Sequence, residues 1–323
     1  MGAISTLPLT PQTRVPVRRL PDLLPTVFRL IDLEVERDGE VYRCMANLYH
    51  RQATLSVTWS ASVVSPGVEV GALVRPDFPI VMRSEAGRLI IQGLSVPQEP
   101  ERDLNLFDTV RPERWNEPRL IERARDLMDE LPSAFRHLFN AIFWDFRRFA
   151  RFCVNPASLS NHHAYRGGLL EHTVATAEIA LMLCDRSKHA NRGLVLVAAL
   201  LHDAGKADEY LRSGDGTWTL TDRGRLIGHD CTVIEWIAAA AANCGIDLRQ
   251  EGYQALLHVL TARTNAPEWL GIRKTAMIEN EIVSVADRMS GHIDLHDGLA
   301  ATGGGWGVRH HHRPAPFTLA DRG

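Results

Sequence analysis

The sequence has few cysteines, and no two of them have a spacing typical of zinc ligands. Five are scattered along the 323 residues: Cys44, Cys153, Cys184, Cys231 and Cys244. Their odd number and the absence of a CxxC pair argue against a disulfide framework and against a cysteine zinc site. We expect all five to behave as small buried hydrophobes in a reducing compartment.

Long apolar runs and an excess of positive charge are also missing. No segment approaches the roughly 18 apolar residues of a membrane span, and the start of the chain has no apolar signal core. The net charge is -3, so a nucleic acid would have to be held by a local patch and not by a global field. These features predict a cytoplasmic protein without a membrane partner.

After a proline-containing arm, predicted to be mobile (residues 1–20), the chain has the texture of short strands. Strand-forming segments near residues 27–36, 40–50, 53–58, 72–82 and 88–95 are separated by turn signals such as Arg37-Asp38-Gly39. Five short strands predict a small closed β-barrel over residues 21–98, and the oligonucleotide-binding (OB-like) type is one candidate.

Aromatic and basic residues of this barrel could contact a single nucleic-acid strand. The candidate stacking platforms are Tyr42, Tyr49, Trp59 and Phe78. Packing in the barrel core is the favoured interpretation of these rings. The candidates for a local basic groove are Arg43, Arg51 and Arg75.

The chain changes to helical patterning beyond a linker that is rich in Pro, Glu and Arg (residues 99–118). Apolar residues at helical spacing predict helices near residues 118–130, 133–152, 168–186, 193–207, 226–243, 249–263 and 275–292. A hairpin is expected around residues 217–220. The pattern predicts an all-α bundle over residues 119–300 and a flexible tail over residues 301–323.

The most apolar of these helices leads into a group of polar residues. Residues 194–201 read LVLVAALL and are apolar on every face, which predicts a position at the centre of the bundle. They are followed at once by His202, Asp203 and, three residues later, Lys206. Burying such groups is costly without compensation. A bound cation would satisfy the imidazole and the carboxylate together.

The same conflict between polarity and burial occurs on two other predicted helices. His172 lies beside the packed stripe of GGLLEHTVATAEIALML. Asp287 has only Val283 and Gly291 four residues away, and neither can neutralise its charge. Any one such residue is more often an ordinary hydrogen-bonded core residue, but four on three helices favour a shared metal. The predicted ligands are His172, His202, Asp203 and Asp287.

Other histidines are candidates for weaker roles. His229 and His258 could hold a second metal with Asp203 bridging the two ions; the alternative is that both are structural. His163 precedes the glycine pair that opens the helix of His172. The candidate substrate-binding residues are His163, Arg166 and Lys206.

Together these elements carry a family resemblance. The segments HHAYRGGLLEHT, LLHDAGK, GRLIGHD and ADRMSG resemble the HD-superfamily metal-dependent phosphohydrolases. A small β-barrel followed by such a domain resembles, more narrowly, the YhaM-type 3′→5′ exoribonucleases. The GGLLEH block is also similar to the HD-like region of MobH-type conjugative relaxases.

The resemblance implies roles for individual residues. The four predicted ligands match the signature H…HD…D set, and Lys206 matches a lysine that would contact the scissile phosphate. His229 matches the GH element, and His258 the first histidine of the following helix. Relatives usually continue with LSHHG, whereas this chain has Ala262 and Arg263 where the paired histidines would be. Arg263 could replace part of the missing positive charge, because guanidinium binds phosphate oxygens well.

The resemblance therefore implies metal-assisted phosphoester hydrolysis, with Asp203, Lys206 and Arg263 as catalytic residues. Mn²⁺ is the favoured ion ahead of Mg²⁺, Fe²⁺, Ni²⁺ or Zn²⁺, with one principal site and a second in question. The favoured function is a 3′→5′ exonuclease acting on single-stranded RNA or DNA. Two alternatives stay open: an HD module of a conjugation or mobile-element relaxase system, and a small-nucleotide phosphohydrolase with a regulatory or dimerising barrel. Homo-oligomerisation is also left open.

Overall fold

The computed structural model describes residues 24–63, 65–77, 82–112, 118–265, 267, 269, 271–311 and 313–320. Contacts divide the chain into two compact units, Met1–Pro97 and Gln98–Gly323. The predicted N-terminal arm and the side chain of Phe78 lie outside the described residues.

The first unit is a curled sheet, or half-barrel, of seven strands. These are β1 (Phe28–Asp38), β2 (Val41–His50), β3 (Ala53–Ala61), β4 (Leu73–Asp77), β5 (Met82–Arg83), β6 (Leu89–Ile90) and β7 (Gly93–Ser95). They lie in the order β5-β6-β3-β2-β1-β4-β7, and β3 and β6 form a parallel pair. Buried and outward-facing residues alternate along β2 and β3 because one face of the sheet packs on the core.

The first three predicted strands are confirmed, and the later two are subdivided. The predicted strand near residues 72–82 contains β4 and β5, separated by residues outside the description. The one near residues 88–95 contains β6 and β7, because the chain changes partners there: Ile91 N–H donates to Thr58, whereas Gln92 N–H donates to Asp77. Among the described strands, β5 and β7 remain sheet edges, so the predicted full closure is not seen.

The second unit is helical. Its helices are α1 (Pro118–Glu130), α2 (Ser133–Phe143), α3 (Phe146–Val154), α4 (Gly168–Cys184), α5 (Arg192–Leu201), α6 (Lys206–Glu209), α7 (Asp222–Leu226), α8 (His229–Cys244), α9 (Glu251–Thr261) and α10 (Ile278–Leu299). Helix α5 packs against α4, α9 and α10, and all of Leu194–Leu201 is buried. The apolar texture of this segment therefore predicted its central position correctly.

Two local features of the helical unit differ from the prediction. The helix expected over residues 133–152 is divided into α2 and α3, because the Asp145 side chain accepts the backbone N–H groups of Arg147 and Arg148 and starts a new helix. Part of the predicted linker belongs to the core: Phe107 is fully buried, 5.4 Å from the ring of Phe149.

Short strand pairs accompany the helices, so the unit is not all-α in the strict sense. The predicted hairpin is present as β8 (Tyr210–Arg212) and β9 (Trp218–Leu220). A further pair, β10 (Gly305–Trp306) and β11 (Phe317–Thr318), lies in the segment predicted as a flexible tail. There the rings of Trp306 and Phe317 meet edge to face at 5.1 Å, which holds the pair together.

Two expectations from composition can be compared with the structure. Cys44, Cys153 and Cys184 are buried as predicted, but Cys231 is exposed because it points away from the core in the first turn of α8, and Cys244 is half-buried. Trp59 is buried, which favours the core interpretation of this ring. No helix in the described part of the chain is both long and apolar enough to span a membrane.

Candidate metal centre

The structure brings the four predicted ligands into one cluster. One ligand atom each from His172, His202, Asp203 and Asp287 lies within 4.8 Å of the other three. Nε2 of His172 is 3.1 Å from Asp287 Oδ1 and 3.3 Å from Asp203 Oδ2. Nε2 of His202 is 3.4 Å from Nε2 of His172. Helices α4 and α10 and the end of α5 thus converge on one point.

Two glycines allow the chain to approach the cluster closely. Gly168 is the first residue of α4, and a Cβ atom there would lie 2.1 Å from the carbonyl oxygen of His163. Gly205 follows the ligands of α5, and its Cβ would lie 2.3 Å from the carbonyl oxygen of His229. Only a residue without Cβ fits at either place, so Gly168 allows the His163 loop to lie close to α4, and Gly205 allows the start of α8 to lie close to the end of α5.

Hydrogen bonds orient both ligand imidazoles. Nδ1 of His202 lies 2.8 Å from the carbonyl oxygen of Ala199. Since a carbonyl only accepts, Nδ1 carries the proton, and in the neutral ring Nε2 presents its lone pair to the cluster. Nδ1 of His172 lies 3.0 Å from Ser290 Oγ, so its Nε2 also faces inward. Such second contacts are typical of metal-ligating histidines, and two imidazoles with two carboxylates suit a divalent transition ion.

The electrostatics of the cluster favour a cation. Burial alone would raise the pKa of Asp203, but Lys206, His202 and His172 outweigh it and hold that pKa well below its usual range. Burial would likewise raise the pKa of Asp287, and hydrogen bonds from His172 and His202 lower it instead. Two ionised carboxylates therefore lie side by side in a largely buried site.

The cationic partners in the structure compensate this charge. Burial alone would lower the pKa of His172, but its hydrogen bonds to Asp203 and Asp287 raise it to about 8. Nζ of Lys206 lies 2.6 Å from Asp203 Oδ2. Burial would lower the pKa of this ammonium as well, and Asp203 raises it, so Lys206 stays charged beside the cluster. Lys206, the predicted phosphate contact, thus lies next to the predicted metal ligands.

His229 faces the opposite oxygen of Asp203. Its Nε2 is 3.4 Å from Asp203 Oδ1, and its Nδ1 is 3.0 Å from Oε1 of the buried Glu209. The two oxygens of Asp203 therefore face different imidazoles, as a bridging carboxylate would. His258 is not part of this arrangement: its Nε2 accepts a hydrogen bond from the Ala276 N–H at 3.0 Å, because α9 directs the ring toward the segment before α10.

An open cleft of about 600 Å³ leads to the cluster and contains one further predicted residue. Arg263 lines it and donates to Asp230 Oδ2 at 2.6 Å. The cleft is also lined by His202, Asp203 and Asp287, so a ligand in it would reach the candidate metal site. Arg166 lies exposed in the loop before α4.

Two histidines before α4 lie against the cluster, and the sequence analysis named only one of them, His163. The ring of His162 is 4.9 Å from that of His172 and packs on Gly291, where a Cβ would come within 3.0 Å of the ring. His163 has a left-handed backbone (φ 48°), its N–H donates to Asp294 at 2.6 Å, and its ring is 5.3 Å from His172. Burial lowers the pKa of both rings to about 4.

Glu209 and His162 are the site residues that the sequence analysis missed. The doublet of histidines directly before Gly167 and Gly168 was the available signal for His162. Glu209 had none, because it lies in a four-residue helix and meets His229, twenty positions along the chain, only after the hairpin of β8 and β9 has folded.

Comparisons with known proteins agree with this geometry. Residues 169–291, which include the four predicted ligands, match the family model described as "HD domain". The 3′-5′ exoribonuclease YhaM of Bacillus licheniformis is 32% identical over 142 residues, which is 44% of this chain and 44% of that protein. The same enzyme of Listeria welshimeri is 33% identical over 142 residues (44% of each chain).

A third relative gives a longer alignment. The YhaM exoribonuclease of Shouchella clausii is 29% identical over 179 residues, 53% of this chain and 54% of that protein. The chain thus spans about half the length of the curated relatives it matches, and no solved structure matches it. Residues 169–291 of the helical unit are therefore similar to the HD domain, and the chain is similar to the YhaM exoribonucleases over about half of its length.

Proposed function

We propose that this chain is a divalent-metal-dependent phosphohydrolase and that it acts as a 3′→5′ exonuclease on single-stranded RNA. The observation that carries the proposal is the convergence of four candidate ligand atoms within 4.8 Å, from three segments that are far apart in sequence. The matched HD domain supports the reaction class, and the names of the relatives support RNA as the substrate. Mn²⁺ is our preferred ion, since two nitrogens and two oxygens suit borderline divalent metals.

In the proposed mechanism, the ion and the side chains of the cleft have different roles. A divalent ion at such a site supplies Lewis-acid activation of water and of the phosphoryl group. His172, His202, Asp203 and Asp287 would hold it. Lys206 keeps its positive charge beside Asp203 and would stabilise negative charge on the phosphoryl oxygens. Arg263 would contribute a second cationic contact from the wall of the cleft.

A second ion is supported by the position of His229 and is opposed by the missing histidine pair. Nε2 of His229 lies 3.4 Å from Asp203 Oδ1, the carboxylate oxygen that faces away from His172. Ala262 and Arg263 occupy the positions where the family resemblance implies a pair of histidines. We propose one tightly held ion, with His229 binding either a weaker second ion or the phosphoryl group.

The N-terminal sheet is our candidate for strand binding, as an OB-like half-barrel. Its outward face carries the half-buried Tyr49 and the exposed Arg43. The half-buried Tyr42 lies on the opposite face, on the side of the buried residues of β2, and the exposed Arg51 lies in the β2–β3 turn. Arg43 forms an ion pair with Asp38 at 2.7 Å, which reduces its value as a phosphate contact. Trp59 is buried and drops out as a stacking platform.

The test compares wild type with Asp203→Asn, using elemental analysis beside a hydrolysis assay on 3′-labelled single-stranded RNA. The amide keeps the size of the side chain and removes its charge, so we expect loss of bound metal and at least roughly a hundredfold loss of rate. Asp215→Asn, in the exposed turn of the β8–β9 hairpin, is the matched control and should keep both. An Asp203→Asn protein with full metal content and full activity would refute the proposal.

The same assay separates the alternatives. The cleft of about 600 Å³ also has the size of a small-molecule pocket. Rapid turnover of mononucleotide esters with no cleavage of strands would therefore assign a small-nucleotide phosphohydrolase. Wild type that binds metal and hydrolyses neither substrate would favour the non-hydrolytic module of a relaxase system.

A further inference from the structure

A second cleft, in the N-terminal sheet, has the chemistry of an anion site. It has a volume of about 430 Å³ and lies between the start of β3 and the β5–β6 hairpin. We call it the hairpin cleft and define it by its polar lining: Thr54, Ser56, Arg83 and Arg88. No carboxylate belongs to its described lining, so the two guanidinium groups give it a positive charge.

Arg88 leaves a hydrogen-bond donor unused in this cleft. Its backbone is fixed by the hairpin turn, where it exchanges hydrogen bonds with Ser84 at 3.2 and 2.8 Å. Its Nη1 is buried, and no acceptor for it exists in the described part of the chain. A buried donor of a charged group without a partner is expensive. Arg88 lines the cleft, so a turn of its guanidinium toward an anionic oxygen there would give this donor an acceptor.

The neighbouring groups are arranged to assist such an anion. Arg83 is the second cation, and its Nη1 is held by the carbonyl oxygen of Gly87 at 2.9 Å, which steadies the guanidinium at the cleft. Thr54 adds an exposed hydroxyl group. Ser56 Oγ donates to Asn47 Oδ1 at 2.5 Å and so can still accept, but it offers no proton. Guanidinium and hydroxyl donors together suit a phosphate group.

An aromatic ring lies next to the cleft on the same face of the sheet. Tyr49 is paired in register with Thr54, and directly paired residues point to the same side at about 5 Å. Their chain neighbours Leu48, His50 and Leu55 are buried, which directs Tyr49 and Thr54 outward. A half-buried aromatic ring beside a phosphate site is the arrangement by which single strands are held, with a base stacked on the ring.

We propose that the hairpin cleft binds a backbone phosphate of a single nucleic-acid strand, with Arg88 as the principal contact and Arg83 as the second. Tyr49 stacks on a base next to that phosphate. The choice of a strand as the ligand rests on the proposed function, whereas the affinity for phosphate follows from the cleft itself.

The experiment measures binding of a fluorescently labelled oligouridine of about twelve nucleotides by anisotropy, on the full chain and in EDTA. The chelator prevents hydrolysis, so the readout does not depend on the metal centre. Wild type is compared with Arg88→Gln, Arg88→Lys, Tyr49→Ala and Tyr49→Phe. Arg37→Ala, an exposed arginine of the β1–β2 hairpin outside the cleft, is the matched control.

We expect Arg88→Gln to weaken binding roughly tenfold and to make the slope of log affinity against log salt shallower by about 0.7. The affinity of Arg88→Lys should lie between those of wild type and Arg88→Gln, because lysine keeps the positive charge but lacks the forked N–H donors of the guanidinium. Tyr49→Ala should bind the oligouridine several-fold more weakly, whereas Tyr49→Phe should retain the affinity of wild type. The affinity of Arg37→Ala should also stay near that of wild type. Thermal melts of each variant exclude unfolding as the cause.

Two results would overturn the proposal. One is equal affinity and equal salt dependence of wild type and folded Arg88→Gln. The other is complete competition by inorganic phosphate at concentrations equal to those of the strand, which would assign the cleft to a small phosphate ligand. Tight Arg88-dependent binding by a protein that hydrolyses nothing when loaded with Mn²⁺ would instead refute the proposed activity and leave the cleft assignment intact.

Discussion

At the scale of single residues, the candidate metal centre illustrates what can and cannot be predicted from a sequence. His172, His202, Asp203 and Asp287 could be predicted because each places a polar group in an apolar stretch, where burial without a partner is unfavourable. The contacts that orient their side chains could not be predicted from the sequence. Ser290 lies 118 positions from His172 and meets its Nδ1 only through the packing of α4 against α10.

Glu209 gives a residue-scale prediction about the second oxygen of Asp203. Its carboxylate accepts from Nδ1 of His229 and fixes Nε2 toward Asp203. We expect Glu209→Ala to weaken binding of a second metal equivalent about tenfold, in line with the loss of orienting contacts at other sites, and to leave the first equivalent intact. Glu209→Gln should be milder, because the amide oxygen still accepts from Nδ1. Isothermal titration with Mn²⁺ measures both equivalents.

The matched control for Glu209 is a double-mutant cycle. If Glu209 acts through His229, then adding Glu209→Ala to His229→Ala changes the metal isotherm no further. Additive losses would mean that Glu209 supports the site by another route. A single equivalent in wild type, unaltered by His229→Ala, would favour the hypothesis that Arg263 has replaced the second ion with its guanidinium.

At the scale of elements, the positions of helices were easier to predict than their ends. The apolar run of α5 was sufficient to place it in the centre, since a helix apolar on all faces must be surrounded. The break between α2 and α3 depends on one capping aspartate, Asp145, in the middle of a continuous apolar pattern. Likewise the sequence of β6 and β7 has one continuous strand-like pattern, whereas in the structure the chain bends at Gln92 and the two strands pair with different partners.

Gly205 gives the prediction at this scale. Its Cβ would lie 2.3 Å from the carbonyl oxygen and 2.8 Å from the Cα of His229, which are backbone atoms that cannot rotate away. We expect Gly205→Ala to lower the free energy of unfolding by about 2 kcal/mol, as overpacking does. Because relief would require α8 to move from the end of α5, the variant should also bind metal more weakly. Urea unfolding and metal titration measure the two effects.

Gly214→Ala is the matched control for this change. Gly214 lies in the β8–β9 turn, and a Cβ atom there would meet nothing within 4 Å. The urea unfolding midpoint of the Gly214→Ala variant should therefore equal that of wild type within error. Equal midpoints for the two alanine variants would contradict the close approach of α8 to Gly205.

At the scale of the whole molecule, the charge balance limits how a strand can be held. The net charge is -3 and the isoelectric point is near 6.5, so long-range attraction of a polyanion is weak. Affinity for nucleic acid must then come from short-range contacts at a few arginines and from stacking, and the local patch expected from the composition corresponds to the hairpin cleft in our proposal.

This view predicts a shallow salt dependence for strand binding. If Arg83 and Arg88 together hold one phosphate, the slope of log affinity against log salt for a single strand is about −0.7, which is the contribution of one neutralised phosphate. Anisotropy titrations in EDTA over a range of potassium chloride concentrations measure it. Hydrolysis of bis-p-nitrophenyl phosphate by the Mn²⁺-loaded protein serves as the reference, since a small diester has one phosphate and needs no second phosphate contact. A slope steeper than about −4 would require several more cationic contacts than the hairpin cleft contains, and would direct the search for the strand to another surface.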